Sequence, residues 1–121
     1  MNMTKSIRKV GNVIIVDISG QIVLNKESNS LGNLVRDLLG KGHRKILVNL
    51  ADVNRIDTAG LAYLVSAFTS VRKLEGELKL LNPTKDIRAV IQITKLDTVF
   101  DIRDDEAAAV RSFGQSAAAT A

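Results

Sequence analysis

The run Lys45-Ile-Leu-Val-Asn-Leu50 is short, almost wholly apolar and in mid-chain. A strand with apolar side chains on both faces has to be covered on both, which makes it a central strand of a sheet. Segments of helical period stand on either side of it. Leu31, Leu34, Val35, Leu38 and Leu39 fall at the spacing of one buried helix face before it, and Leu61, Leu64, Val65, Phe68 and Val71 do so after it. A strand between two amphipathic helices implies an α/β chain and a largely parallel sheet joined by right-handed crossovers.

The remaining segments extend the alternation. Ile7 to Ser19 reads as a hairpin around the turn signal Gly11-Asn12, with Val13–Ile18 as the β-branched second arm. Gln21–Leu24 is a short strand or a continuation of that arm. Ser28-Asn29-Ser30 offers caps for the first helix, and Gly40 and Gly42 end it. The second helix spans about Ala59–Leu74 and is broken by Glu75-Gly76-Glu77. Leu78–Leu81 is a strand. Asn82-Pro83 turns into a third helix with Pro in its first turn, and Ile87, Val90 and Ile91 on its inner face. Val99–Ile102 is expected as a last strand, and Asp104–Phe113 as a last helix. One domain is expected over residues 1–113, followed by a small, polar, disordered tail over residues 114–121.

Composition narrows the function classes. The 121 residues suffice for one domain with a real core. With no Cys and a single His, disulfide scaffolds, thiolate metal sites and a His-based zinc site are not expected. No apolar run approaches the ~18 residues that span a bilayer, so no membrane insertion is expected. The first residues lack an apolar h-region, so no signal peptide is expected and a cytoplasmic address is expected by default. The net charge is +4, but the basic residues are scattered and not interleaved with aromatics, so no nucleic-acid partner is expected. Neither a phosphate-loop motif nor a spaced Ser/His/Asp set is present, so neither an enzyme nor a cofactor is expected. His43 lies in a basic turn, and the acidic run Asp101–Glu106 reads as a helix start.

The most site-like feature is Asp57-Thr58-Ala59-Gly60-Leu61, where the long helix opens after the central strand. Unpaired backbone N–H groups and the positive end of the helix dipole meet there. Two readings of Thr58 stand side by side. In one, Asp57 and Thr58 only cap the helix. In the other, Thr58 is a phosphoacceptor whose modification adds nearly two negative charges to a partner surface. Small residues at Ala59 and Gly60 would leave the backbone open to a close approach.

Strand, Asp57-Thr-Ala-Gly-Leu61, amphipathic helix and then Glu75-Gly-Glu-Leu-Lys-Leu-Leu81 together resemble the STAS domain of bacterial anti-sigma factor antagonists. The likeness runs from about Lys5 to Phe113 and includes the Gly20 segment and Asn49-Leu50. It implies a mostly parallel sheet with helices packed mainly on one face. It also implies that an anti-sigma factor kinase phosphorylates Thr58, and that the unphosphorylated protein binds this kinase and frees a sigma factor. The implied partner surface comprises Asp57, Thr58, Ala59, Gly60 and Leu61 with Asn25 and Ser28 of the preceding loop. Thr58 stands where the family often has Ser, and Val23 stands where an acidic loop residue is often found, with Glu27 nearby. A non-switching STAS subunit of a larger complex, such as a lipid-transport ATPase, is the alternative role.

Overall fold

The computed structural model describes residues 3–24 and 30–113. Five strands and four helices alternate: β1 Thr4–Val10, β2 Val13–Ile22, α1 Ser30–Gly40, β3 Lys45–Ile56, α2 Thr58–Lys73, β4 Glu77–Leu81, α3 Lys85–Ile93, β5 Ile102–Arg103 and α4 Glu106–Ser112. The strands lie in chain order across one sheet. β1 and β2 are the antiparallel hairpin, and every later pair is parallel.

That order decides where the helices go. A right-handed crossover that always steps in the same direction along a sheet returns on the same face each time. α1, α2 and α3 accordingly share one face. Leu31, Val35, Leu38, Leu64, Val71, Ile87 and Ile91 pack there against Ile14, Val16, Ile46, Val48, Leu78 and Leu80. The alternate strand residues Val13, Ile15, Leu47 and Leu81 face the other way and, among the described residues, cluster with Ala109 of α4 and with Phe113 just after it. The apolar run around Ile46–Val48 is thus covered on both faces by different helices.

Three local expectations change. The central strand runs to Ile56, six residues beyond Leu50. Leu50, Val53 and Ile56 are all buried in the same cluster at a spacing of three, which a regular strand of period two does not allow. Register shifts against β2, between Asp17 and Ser19 and between Gly20 and Gln21, insert an extra β3 residue in each interval and bring all three inward. The expected strand at Val99–Ile102 is mostly a connection: Leu96–Thr98 form a 3-10 turn, and only Ile102 and Arg103 pair with β4. α3 starts at Lys85 with Thr84 as its cap, so Pro83 precedes the helix and is not in its first turn. The expected caps Ser28 and Asn29 and the expected tail at 114–121 lie outside the described residues.

Candidate functional site

β2 and β3 end side by side, with Ile22 opposite Ile56, and α2 begins two residues later. Asp57 has the extended backbone of an N-cap, as its position after the strand suggests. Its Oδ1 accepts from the Gly60 N–H at 2.8 Å. Its Oδ2 accepts from the Leu24 N–H at 3.2 Å, which ties the segment leaving β2 to the start of α2. The Asp57 N–H in turn donates to the Ile22 carbonyl at 3.4 Å. The Gly60 hydrogen bond, helped by that of Leu24 and by the charge of Arg55, holds the Asp57 carboxyl below its usual pKa.

Gly60 has a structural use that its sequence does not display. A Cβ built on it would lie 1.9 Å from the Ile22 carbonyl oxygen and 2.8 Å from Ile56 Cγ1. Only a residue without a side chain lets α2 start directly against the ends of β2 and β3. Gly60 and Leu61 are both buried; Leu61 belongs to the main core. Of the candidate residues, Thr58 is exposed and Asp57 and Ala59 are partly so. The Thr58 hydroxyl has no hydrogen-bond partner among the described residues, so the helix cap is supplied by Asp57 alone. Asn25 and Ser28 lie outside the described residues.

Two neighbours complete the surface. Leu24 is held by Asp57 yet is 67% exposed, an apolar side chain standing free beside the helix start. Its signal in the sequence was only its place in the loop after β2. Arg55 is exposed, two residues before the cap, and supplies the positive charge nearest Asp57 in effect. Val23 is half-buried and follows the last residue of β2, so no carboxylate stands at that position. His43 lies far along the chain in the α1–β3 connection, and no group of three or more His, Cys, Asp or Glu among the described residues is arranged to hold a metal. None of the helices among the described residues is long and apolar enough to cross a membrane.

This arrangement presents one exposed hydroxyl, one hydrogen-bonded carboxylate and one exposed apolar side chain at a closely packed strand–helix junction. The chain is 37% identical over 68 residues to a protein from Thermotoga neapolitana named as a homolog of an anti-sigma factor antagonist. That alignment covers 56% of this chain and spans 60% of the relative's length. Its fold is similar to the crystal structure of an anti-sigma factor antagonist from Thermotoga maritima, with a TM-score of 0.83 and 24% identity, covering 90% of this chain and 93% of that one. It is also similar to the Bacillus cell fate determinant SpoIIAA in its phosphorylated form, with a TM-score of 0.69 and 16% identity, covering 89% of this chain and 97% of that one. The family model of the STAS domain matches residues 4–109, and with the strand–helix junction described above this shows that the chain belongs to the STAS family.

Proposed function

We propose that this chain is an anti-sigma factor antagonist that works by binding, without catalysis of its own, in the cytoplasm. Its partner is an anti-sigma factor of the serine/threonine kinase type. In the unphosphorylated state it docks on that kinase through Asp57, Thr58, Ala59 and the exposed Leu24, and a sigma factor is released. The kinase then transfers the γ-phosphoryl group of ATP to Thr58 Oγ1; ADP leaves, and the hydroxyl proton is lost.

The observation that carries this reading is the state of Thr58: exposed, without a hydrogen-bond partner among the described residues, and next to a carboxylate whose two oxygens are already engaged. A hydroxyl needed for capping would be unavailable to a kinase. This one is not needed, because Asp57 caps the helix. Phosphate there brings nearly two negative charges next to Asp57 and the exposed Leu24. Its repulsion and its hydration both oppose burial in an apolar interface, so the partner is released. Gly60 and Leu61 support the surface from below, since both are buried.

The test is incubation with the cognate kinase and ATP, read by intact mass and peptide mapping. One phosphate on Thr58 is expected, and none on Thr58→Ala. In calorimetry, Thr58→Ala is expected to bind the kinase at least as tightly as the parent chain, and Thr58→Glu more weakly. Phosphate on another residue, or equal binding by both variants, would sink the proposal.

A further inference from the structure

Strand β1 is an edge of the sheet, since it pairs with β2 alone among the described residues. Its seven residues, Thr4–Val10, are exposed except for Lys5, which is partly so. The hairpin turn fixes which way each of them points. Gly11, with φ of 61°, opens a two-residue turn that Val10 and Val13 close as a hydrogen-bonded pair. Such pairs alternate along an antiparallel ladder, and the register continues without a shift to Thr4 opposite Ser19. Thr4, Ser6, Arg8 and Val10 therefore bond β2, while Lys5, Ile7 and Lys9 turn their N–H and carbonyl groups to the open edge. The side chains follow the same alternation. Lys5, Ile7 and Lys9 stand opposite Ile18, Val16 and Ile14, on the face where the main core lies. Arg8 lies on the other face, with Asp17.

One row of β1 thus reads cation, apolar, cation at intervals of about 7 Å, the rise of two strand residues. Ile7 is 47% exposed, and neither lysine has an ion pair among the described residues. An open edge offers backbone hydrogen bonds to any extended chain, and the side chains decide which chain is accepted. A second copy is refused. A two-fold axis at Ile7 would set Lys5 opposite Lys9 twice, and like charges directly opposite are destabilising. An extended segment with an acidic residue two positions to either side of an apolar one turns both repulsions into attractions. Its carboxylates would stand opposite Lys5 and Lys9, and its central side chain would cover Ile7. The opposite edge of the sheet offers no comparable length, since β5 has two residues.

We propose that β1 docks an acidic extended segment of another protein, which adds to the sheet as an antiparallel strand. The surface does not include Thr58, and the proposal is independent of the reading of that residue. The probe is a capped peptide of the length of β1, with valine at its centre, glutamate two positions to either side and threonine elsewhere. It is titrated into the isotopically labelled protein beside two controls. One has lysine in place of glutamate; the other is the glutamate peptide N-methylated at its valine and glutamates, which removes the N–H groups that would face β1. Saturable shifts and slowed exchange at the amides of Lys5, Ile7 and Lys9 are expected with the unmethylated glutamate peptide only. The double variant Lys5→Glu with Lys9→Glu is expected to bind that peptide about tenfold more weakly and to accept the lysine peptide instead. The remaining amide spectrum reports whether the variant is folded, and Lys9→Glu alone replaces it if it is not. Shifts that never saturate, that either control reproduces, or that persist in the variant overturn the proposal. Slowed exchange at the same three amides when the protein alone is concentrated would make a second copy the occupant, and would overturn it as well.

Discussion

Asp57 accepts from Gly60 with one carboxylate oxygen and from Leu24 with the other, so Asp57→Ala removes a helix cap and a tie between two segments together. A lost cap costs about 0.5–2 kcal/mol, and the second bond places the expected loss toward the upper end. Thr58→Ala, at an exposed position with no partner among the described residues, is expected to stay within about 0.5 kcal/mol of the parent chain. Urea unfolding of the two variants checks this. Equal losses would mean that Thr58 shares the cap. Gly60→Ala is expected to be worse than either, at about 3 kcal/mol, because its Cβ would meet the Ile22 carbonyl at 1.9 Å and backbone must move. The cap was legible in the sequence, since Asp before a helical period is a local signal. The role of Gly60 was not: its small size reads as room for a partner, while the space is in fact filled by β2, a contact between residues 38 apart in sequence.

The end of α2 shows the same division between local and distant causes. The Glu75 N–H donates to the Arg72 carbonyl at 3.0 Å and the Gly76 N–H to the Val71 carbonyl at 2.9 Å, which closes the helix in a Schellman motif. In that motif the left-handed residue is usually Gly, yet here it is Glu75, with φ of 61°. Gly76 serves packing instead, since a Cβ on it would lie 2.6 Å from the Arg44 carbonyl oxygen, close to where β4 begins to pair with β3. Glu75→Gly is therefore expected to stabilise the fold by about 0.5–1 kcal/mol, as relief of the left-handed strain exceeds the added freedom of the unfolded chain. Gly76→Ala is expected to destabilise it by about 1–3 kcal/mol. Thermal and urea unfolding of the pair decides whether strain or packing governs this corner. The sequence marked the break at Glu75-Gly76-Glu77 correctly but could not divide the two roles between neighbours. It misread the second half of β3 for a related reason: Ala51, Asp52, Asn54 and Arg55 are exposed and three of them polar, and Leu50, Val53 and Ile56 repeat every three residues because of bulges that pairing with β2 creates. β5 was overextended because Val99 and Phe100 look like strand residues. Phe100 instead packs edge-on against Phe68, with ring centroids 5.4 Å apart, and Val99 stays exposed.

On the scale of the whole molecule, the first strand and the last helix are joined through one side chain. Arg8 of β1 donates to both Asp17 oxygens, at 2.6 and 3.0 Å, and to both Glu106 oxygens, at 2.8 and 3.2 Å. The network spans the face that α4 leaves largely open, and Asn49 Nδ2 adds a bond to Asp17 at 2.7 Å. The Arg8 hydrogen bonds hold the carboxyls of Asp17 and Glu106 below their ordinary values, and the same pairing raises Arg8. Asp101 is likewise lowered, first by its bond from Arg103. A carboxyl whose folded pKa is depressed adds stability that is complete above its unfolded value, about 4, and is lost as pH falls through the folded value. Stability is therefore expected to be flat through neutral pH and to decline below about pH 4. The groups are half-exposed, so water and salt reduce each pair to about 0.2–1 kcal/mol. Arg8→Ala tests the network as a unit. The variant is expected to lose about 1 kcal/mol at pH 7, where both carboxylates are charged and lose their Arg8 ion pair, and to lose less than the parent chain between about pH 5 and pH 3. Raising the salt concentration is expected to narrow the gap at pH 7. If the two unfolding curves run parallel across that pH range, the acid sensitivity of this fold arises elsewhere, and Arg8 does not join β1 to α4 in solution.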